Sequence, residues 1–110
     1  MADNDGNVLD EARDRLDGGR KWHQGSMRGP GGGVCLVGAL LDTARTQSDV
    51  DRASYLLGDV IQEQYPDLPG VTGSRLAALP TFNDHPDTVW ADIELVLDKA
   101  ARRLDEQDRL

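Results

Sequence analysis

The run Val34-Cys35-Leu36-Val37-Gly38-Ala39-Leu40-Leu41-Asp42-Thr43-Ala44-Arg45 decides how this chain folds. Wound as a helix from Val34 to Arg45, it places Val34, Cys35, Leu36, Val37, Ala39, Leu40, Leu41 and Ala44 on almost every side. A helix that is apolar all round belongs at the centre of a core. Gly38 sits inside it, costing about 1 kcal/mol of helix propensity against Ala. It leaves room for a second backbone to come close.

Upstream of this helix lies a glycine-rich loop, about residues 25–33, ending Gly29-Pro30-Gly31-Gly32-Gly33. It reads as a flexible loop or tight hairpin, with a short two-stranded ribbon less favoured. Before it, Val8, Leu9, Ala12 and Leu16 share one face of a helix from about Val8 to Asp17. Asn7 is its N-cap, Asp10 completes an approximate capping box, and Gly18-Gly19 stops it.

Downstream, Ser48-Asp49-Val50-Asp51 reads as a cap and acidic first turn. The stripe Val50, Ala53, Leu57, Val60 and Ile61 follows, and Pro66 ends that helix. Ser74 caps a short turn of helix through Leu79, closed by Pro80. The last helix, capped by Asp87 or Thr88, carries Val89, Ile93, Val96, Leu97, Ala100 and Leu104, with Trp90 at its flank. These positions are spaced 4, 3, 1, 3 and 4 apart, an amphipathic pattern. From about 105 to 110 the chain is polar and expected to fray.

The expectation is therefore an all-α fold: one domain over residues 1–110, a compact four- to five-helix bundle-like packing around a buried central helix. The helices from Asp49 and from Val89 should clasp the central one.

Formal net charge is -8. Nucleic-acid binding requires Lys and Arg against phosphates, and the balance here opposes it. Such a charge favours solubility and a basic partner surface. One cysteine, Cys35, forms no internal disulfide and suits a reducing cytoplasm, the expected location. The opening Met-Ala-Asp-Asn-Asp lacks the basic-then-apolar pattern of a secretory signal. No apolar run approaches the roughly 20 residues that span a bilayer, so no membrane role is expected.

Cys35 stands at a helix N-terminus, where unpaired N–H groups and the helix dipole favour a thiolate nucleophile. The plainer reading is a small buried hydrophobe. A nucleophile needs a base, and His23 and His85 are the two histidines. Asn83 and Asp84 beside His85 could orient an imidazole, although Asn-Asp-His-Pro is also ordinary turn chemistry. His23, Cys35, Asp84 and His85 show no paired ligand spacing, so neither a metal nor a cofactor is expected. The glycine run could cradle a phosphate but lacks the Gly-Lys-Ser/Thr ending of a nucleotide loop. Trp22 and Trp90 are expected to pack on the core, with an interface role as the alternative.

The order Trp22, then Cys35-Leu36-Val37-Gly38-Ala39-Leu40, then Phe82-Asn83-Asp84 and Thr88 leading into an apolar helix, resembles a family of small uncharacterised actinobacterial and actinobacteriophage proteins. The likeness runs from about Leu9 to Ala100. This chain has Phe82 where the family often has a tryptophan. The resemblance implies a cytoplasmic protein of bacterial or phage origin, and no activity, substrate or cofactor.

Three functional expectations follow. The favoured one is a protein-interaction module, phage-encoded and acting on a host protein or self-associating through the last helix, with Trp22, Asn83 and Asp84 as candidate binding residues. The second, less favoured, is an enzyme with Cys35 as nucleophile and His85 or His23 as base. The third is an anionic-ligand pocket between the glycine loop and the Asn83-Asp84 turn.

Overall fold

The apolar spacing that marks the helices also sets their packing in a computed structural model, which describes residues 7–109. Five α-helices are present among them: α1 (Val8–Arg15), α2 (Leu36–Thr43), α3 (Gln47–Gln64), α4 (Arg75–Asp84) and α5 (Trp90–Asp108). The architecture is all-α and bundle-like, with no β-strand among the described residues.

The stripe positions Leu9, Ala12 and Leu16 of the first segment, Leu57, Val60 and Ile61 of α3, and Ile93, Val96, Leu97, Ala100 and Leu104 of α5 are all buried in one core. α2 contributes Leu36, Ala39 and Leu40 to it. α2 packs on α1, α3 and α4, while α5 packs mainly on α3 and α1. The expected clasp of α2 is therefore made by α3 with α1 and α4, and α5 closes the far side. Leu41 departs from the all-round burial read from the sequence; it is 44% exposed.

The capping box at α1 forms as read. Asn7 Oδ1 accepts from the Leu9 and Asp10 amides, and the Asn7 amide donates to Asp10 Oδ2. Asn7 Nδ2 also reaches Ala101 O at 2.8 Å, tying the start of α1 to α5.

Other boundaries differ from the sequence expectation. The cap of α3 is Thr46, whose Oγ1 accepts from the Asp49 amide, two residues before Ser48. α5 begins after Val89, with no side-chain cap; Asp92 Oδ2 accepts from the Val89 amide instead of Asp87 or Thr88 capping it. Thr88 is buried in the preceding turn, its amide bonded to His85 O. Pro80 does not close α4, which continues to Asp84 with Pro80 inside it. A proline removes one helical hydrogen bond, and here burial of Phe82 and Asn83 one turn further on outweighs that loss. Helical bonding in α5 extends through Asp108, into the segment expected to fray; Asp105 accepts from Asn7 Nδ2 and Asp108 pairs with Arg52.

Candidate functional site

The segment from Arg20 to Gly33 has no helix of its own beyond a short 3-10 turn at Pro30–Gly32, yet it is tied down. The His23 amide donates to Val34 O, the Val34 amide to Lys21 O, and the Cys35 amide to Met27 O, all at 2.8 to 2.9 Å. Two isolated bridges, Trp22 to Val34 and Arg28 to Val34, are what exists of a ribbon. Arg15 and Lys21 donate to the Gly32 and Gly31 carbonyls. The glycine loop therefore presents carbonyls to cations of this chain. The Gly29 and Gly33 amides are bonded within the loop, to Gly33 O and Pro30 O.

Asn83 is the polar centre of this region and is fully buried. Its Oδ1 accepts from Trp22 Nε1 at 2.8 Å and from the Leu36 amide at 3.1 Å. Its Nδ2 donates to His23 O at 3.0 Å and to Asp84 Oδ1 at 2.8 Å. Gln24 Nε2 donates to the carbonyls of Asn83 and His85, and the Gly25 amide donates to Asp84 Oδ1. Thus Trp22, His23, Gln24 and Gly25 each fasten onto the end of α4. The side-chain amide satisfies its own donors and acceptor in full, as buried polar groups require. Trp22, Asn83 and Asp84, expected to bind a partner, are joined to one another and to the chain itself. Trp22 packs on the core and lies 6.5 Å from the Trp90 ring. Phe82 stacks on Tyr65 at 5.0 Å.

Cys35 is not inside α2 but is its N-cap, 7% exposed, with Sγ accepting from the Gly38 amide at 3.4 Å. The start of the helix at Leu36 instead of Val34 follows from the bonds that hold Val34 and Cys35 extended against residues 21 and 27. Neither histidine is bonded to the thiol. His23 Nε2 pairs with Ser26 Oγ at 3.0 Å, and His85 Nδ1 accepts from the Asp87 amide at 3.1 Å. His85 lines a separate depression with Tyr65, Pro66 and Leu68. Among the described residues no three His, Cys, Asp or Glu side chains are grouped to hold a metal ion.

What Cys35 does line is a cleft of about 510 Å³ between α2, α3, α4 and the residue 26–27 loop. Its walls are mainly Met27, Val37, Val50, Leu76, Leu79 and Pro80, with Ser54 among them. Met27 and Leu76 are 44% and 43% exposed there. Asp51 and Asp84 are its charged residues. Two glycines shape it. A Cβ on Gly38 would lie 3.0 Å from Met27 O, so Gly38 admits the loop backbone, as its place in α2 led one to expect. A Cβ on Gly58 would lie 2.4 Å from Arg75 O, so α3 and α4 touch through backbone at that point. Sequence reasoning missed this cleft. Its signals were a small pair, Ser54 and Gly58, one turn apart on α3, and a proline inside the α4 pattern.

Among the described residues no ion-paired side chain lines the cleft. Arg28 and Arg15 hold the Asp42 carboxyl below its usual range, the Arg28 hydrogen bond being the larger cause. Arg103 does the same for Glu63, again chiefly through a hydrogen bond. Tyr65 is pushed up to about 12, first by burial and then by the Asp92 carboxylate at 3.1 Å.

The fold and cleft define a small all-helical domain with one loop stitched across its face. The chain belongs to the family described as "Family of unknown function (DUF6197)", which it matches over residues 1–103. No curated protein and no solved structure matches it. No helix among the described residues is long and apolar enough to cross a membrane.

Proposed function

We propose that this protein is an interaction module whose docking surface is the Cys35 cleft, and that it receives an apolar segment of a partner protein. The observation that carries this reading is the cleft itself: Met27, Val37, Leu76, Leu79 and Pro80 meet around about 510 Å³, with Met27 and Leu76 left open to solvent. Pockets that bind ligands are concave and mostly apolar, with a few polar groups. Methionine at such a surface adapts to varied apolar partners.

Two other surfaces support the choice by being occupied. The α5 stripe, the motive for self-association, is buried inside the monomer from Ile93 to Leu104. The Asn83-Asp84 turn, the motive for an anion pocket, is filled by Trp22, Gln24 and Gly25 of the chain itself. A cysteine nucleophile lacks a base at hydrogen-bonding distance, since His23 and His85 bond elsewhere.

The test is selection from a displayed random-peptide library on the wild-type protein, with counter-selection on Leu76→Asp. Enriched peptides should carry apolar anchors and lose binding to the variant. Enrichment that Leu76→Asp leaves intact, or none at all, overturns the reading.

A further inference from the structure

We infer that the segment received by this cleft is basic as well as apolar, with a lysine or arginine held between Asp51 and Asp84. The inference rests on the docking reading above and deepens it.

α3 and α4 run antiparallel. Gly58, past the middle of α3, faces Arg75 at the start of α4, and Gln62 Nε2 bonds the carbonyls of Val71 and Gly73 in the loop between them. The start of α3 therefore lies beside the end of α4. Asp51 is in the second turn of α3 and Asp84 is the last residue of α4, so both carboxylates flank the same end of the cleft. Leu76, near the start of α4, marks the other end.

Among the described residues no lysine, arginine or histidine lines the cleft. Neither Asp51 nor Asp84 forms an ion pair among the described residues; Asp49, Asp67 and Asp87 form none either, but only Asp51 and Asp84 line the cleft. Asp51 Oδ1 accepts from Gln47, and Asp84 Oδ1 accepts from Asn83 and from Gly25. Each leaves its second oxygen for a partner. An apolar cleft with two carboxylates at one end is complementary to an apolar side chain next to a cationic one. The net charge of -8 steers such a segment inward.

The probes are short peptides alternating leucine with lysine, glutamine or glutamate, followed by fluorescence anisotropy and by amide chemical shifts. The lysine peptide should bind more tightly than the glutamine peptide by about fivefold, the scale of two partly exposed ion pairs. The glutamate peptide should be weakest. The double variant Asp51→Asn/Asp84→Asn keeps the internal hydrogen bonds and should erase the lysine preference. Asp14→Asn/Glu106→Gln removes as much charge elsewhere and should leave it. If the lysine and glutamine peptides bind alike and shift Val37, Leu76 and Leu79 amides, the charge inference fails and the docking reading stands. If no peptide shifts those amides, both fail. A lysine preference surviving in the double variant, or lost equally in the remote one, overturns the inference as diffuse attraction. Concentration-dependent dimerisation that blocks the cleft amides overturns it in favour of a second copy.

Discussion

Two regions built from the same elements make opposite use of polarity. The seam around Asn83 is buried and polar, and every hydrogen-bonding atom of that side chain has a partner within the chain. The Cys35 cleft is half open and apolar, and its walls are left without a cover. Both depend on α4: Asn83 looks to the loop, and Leu76, Leu79 and Pro80 look to the cleft. The lesson is that residues with the chemistry of a binding site hold this fold together, and residues with the chemistry of a core are the ones offered outward. A buried amide with three far partners is costly to disturb. An exposed leucine and methionine cost little to replace.

That contrast is broken most directly at Asn83. Asn83→Ala takes the hydrogen-bond partner from the Trp22 indole N–H, the Leu36 amide and the His23 carbonyl. At about 1–3 kcal/mol for each unsatisfied buried group, with partial rescue by water at the half-buried Trp22, the loss should be about 3 kcal/mol or more in urea unfolding. Leu76→Asp, on the cleft, should stay within about 0.5 kcal/mol of wild type. If the two variants unfold at similar urea concentrations, the division between seam and cleft is wrong.

Gly58 sharpens the cleft side. In an ordinary helix interior Gly→Ala gains about 1 kcal/mol of propensity. Here the added methyl would meet Arg75 O at 2.4 Å and push α4 away. Gly58→Ala should therefore destabilise by about 2 kcal/mol, with amide shift changes spreading to Leu76 and Leu79. A stabilised Gly58→Ala would mean that α3 and α4 do not touch there.

Much of the fold could be read from periodicity, because burial follows helical spacing. Leu9, Ala12, Leu57, Ile61, Ile93 and Leu97 all lie in the core as their positions imply. The Asn7 capping box was also readable, because its partners are three residues apart. Boundaries set by distant contacts were not. Cys35 is a cap because Met27 and Lys21 hold the preceding backbone extended, and Pro80 is tolerated because Phe82 and Asn83 are buried beyond it. The site failed for the same reason. Trp22 and Leu36 lie 61 and 47 residues from Asn83 in sequence but share its one side-chain oxygen. Their order is visible in the sequence, but their hydrogen bonds are not. Asp51, Ser54 and Leu76 look like ordinary helix surface until α2 and the loop are laid over them.

Tyr65 tests the far edge of the seam, where Phe82 stacks on its ring. Its phenol is held neutral up to about 12 by burial and by Asp92. A raised acid pKa contributes stability that is complete below the unfolded value of about 10 and declines as pH rises towards 12. Wild type should lose stability over that window, and Tyr65→Phe should lose less. Alkaline absorbance titration should show one phenolate forming late. Identical pH profiles for the two proteins would separate Tyr65 from the stability of the seam.

Cys35 is where seam and cleft meet, and its predicted effect is the smallest. The thiol caps α2 by accepting from Gly38 and also lines the cleft. Serine is a preferred N-cap and accepts more strongly than sulfur, but it buries a more polar atom in an apolar wall. These effects oppose each other, and Cys35→Ser should unfold within about 0.5 kcal/mol of wild type. At 7% exposure, with no imidazole bonded to it, the thiol should react with iodoacetamide far more slowly in the folded protein than in urea. Peptide bound in the cleft should slow it further. Rapid alkylation of the folded protein at neutral pH would show an activated thiolate, and Cys35 would then belong to a reactive site instead of to the wall of a docking cleft.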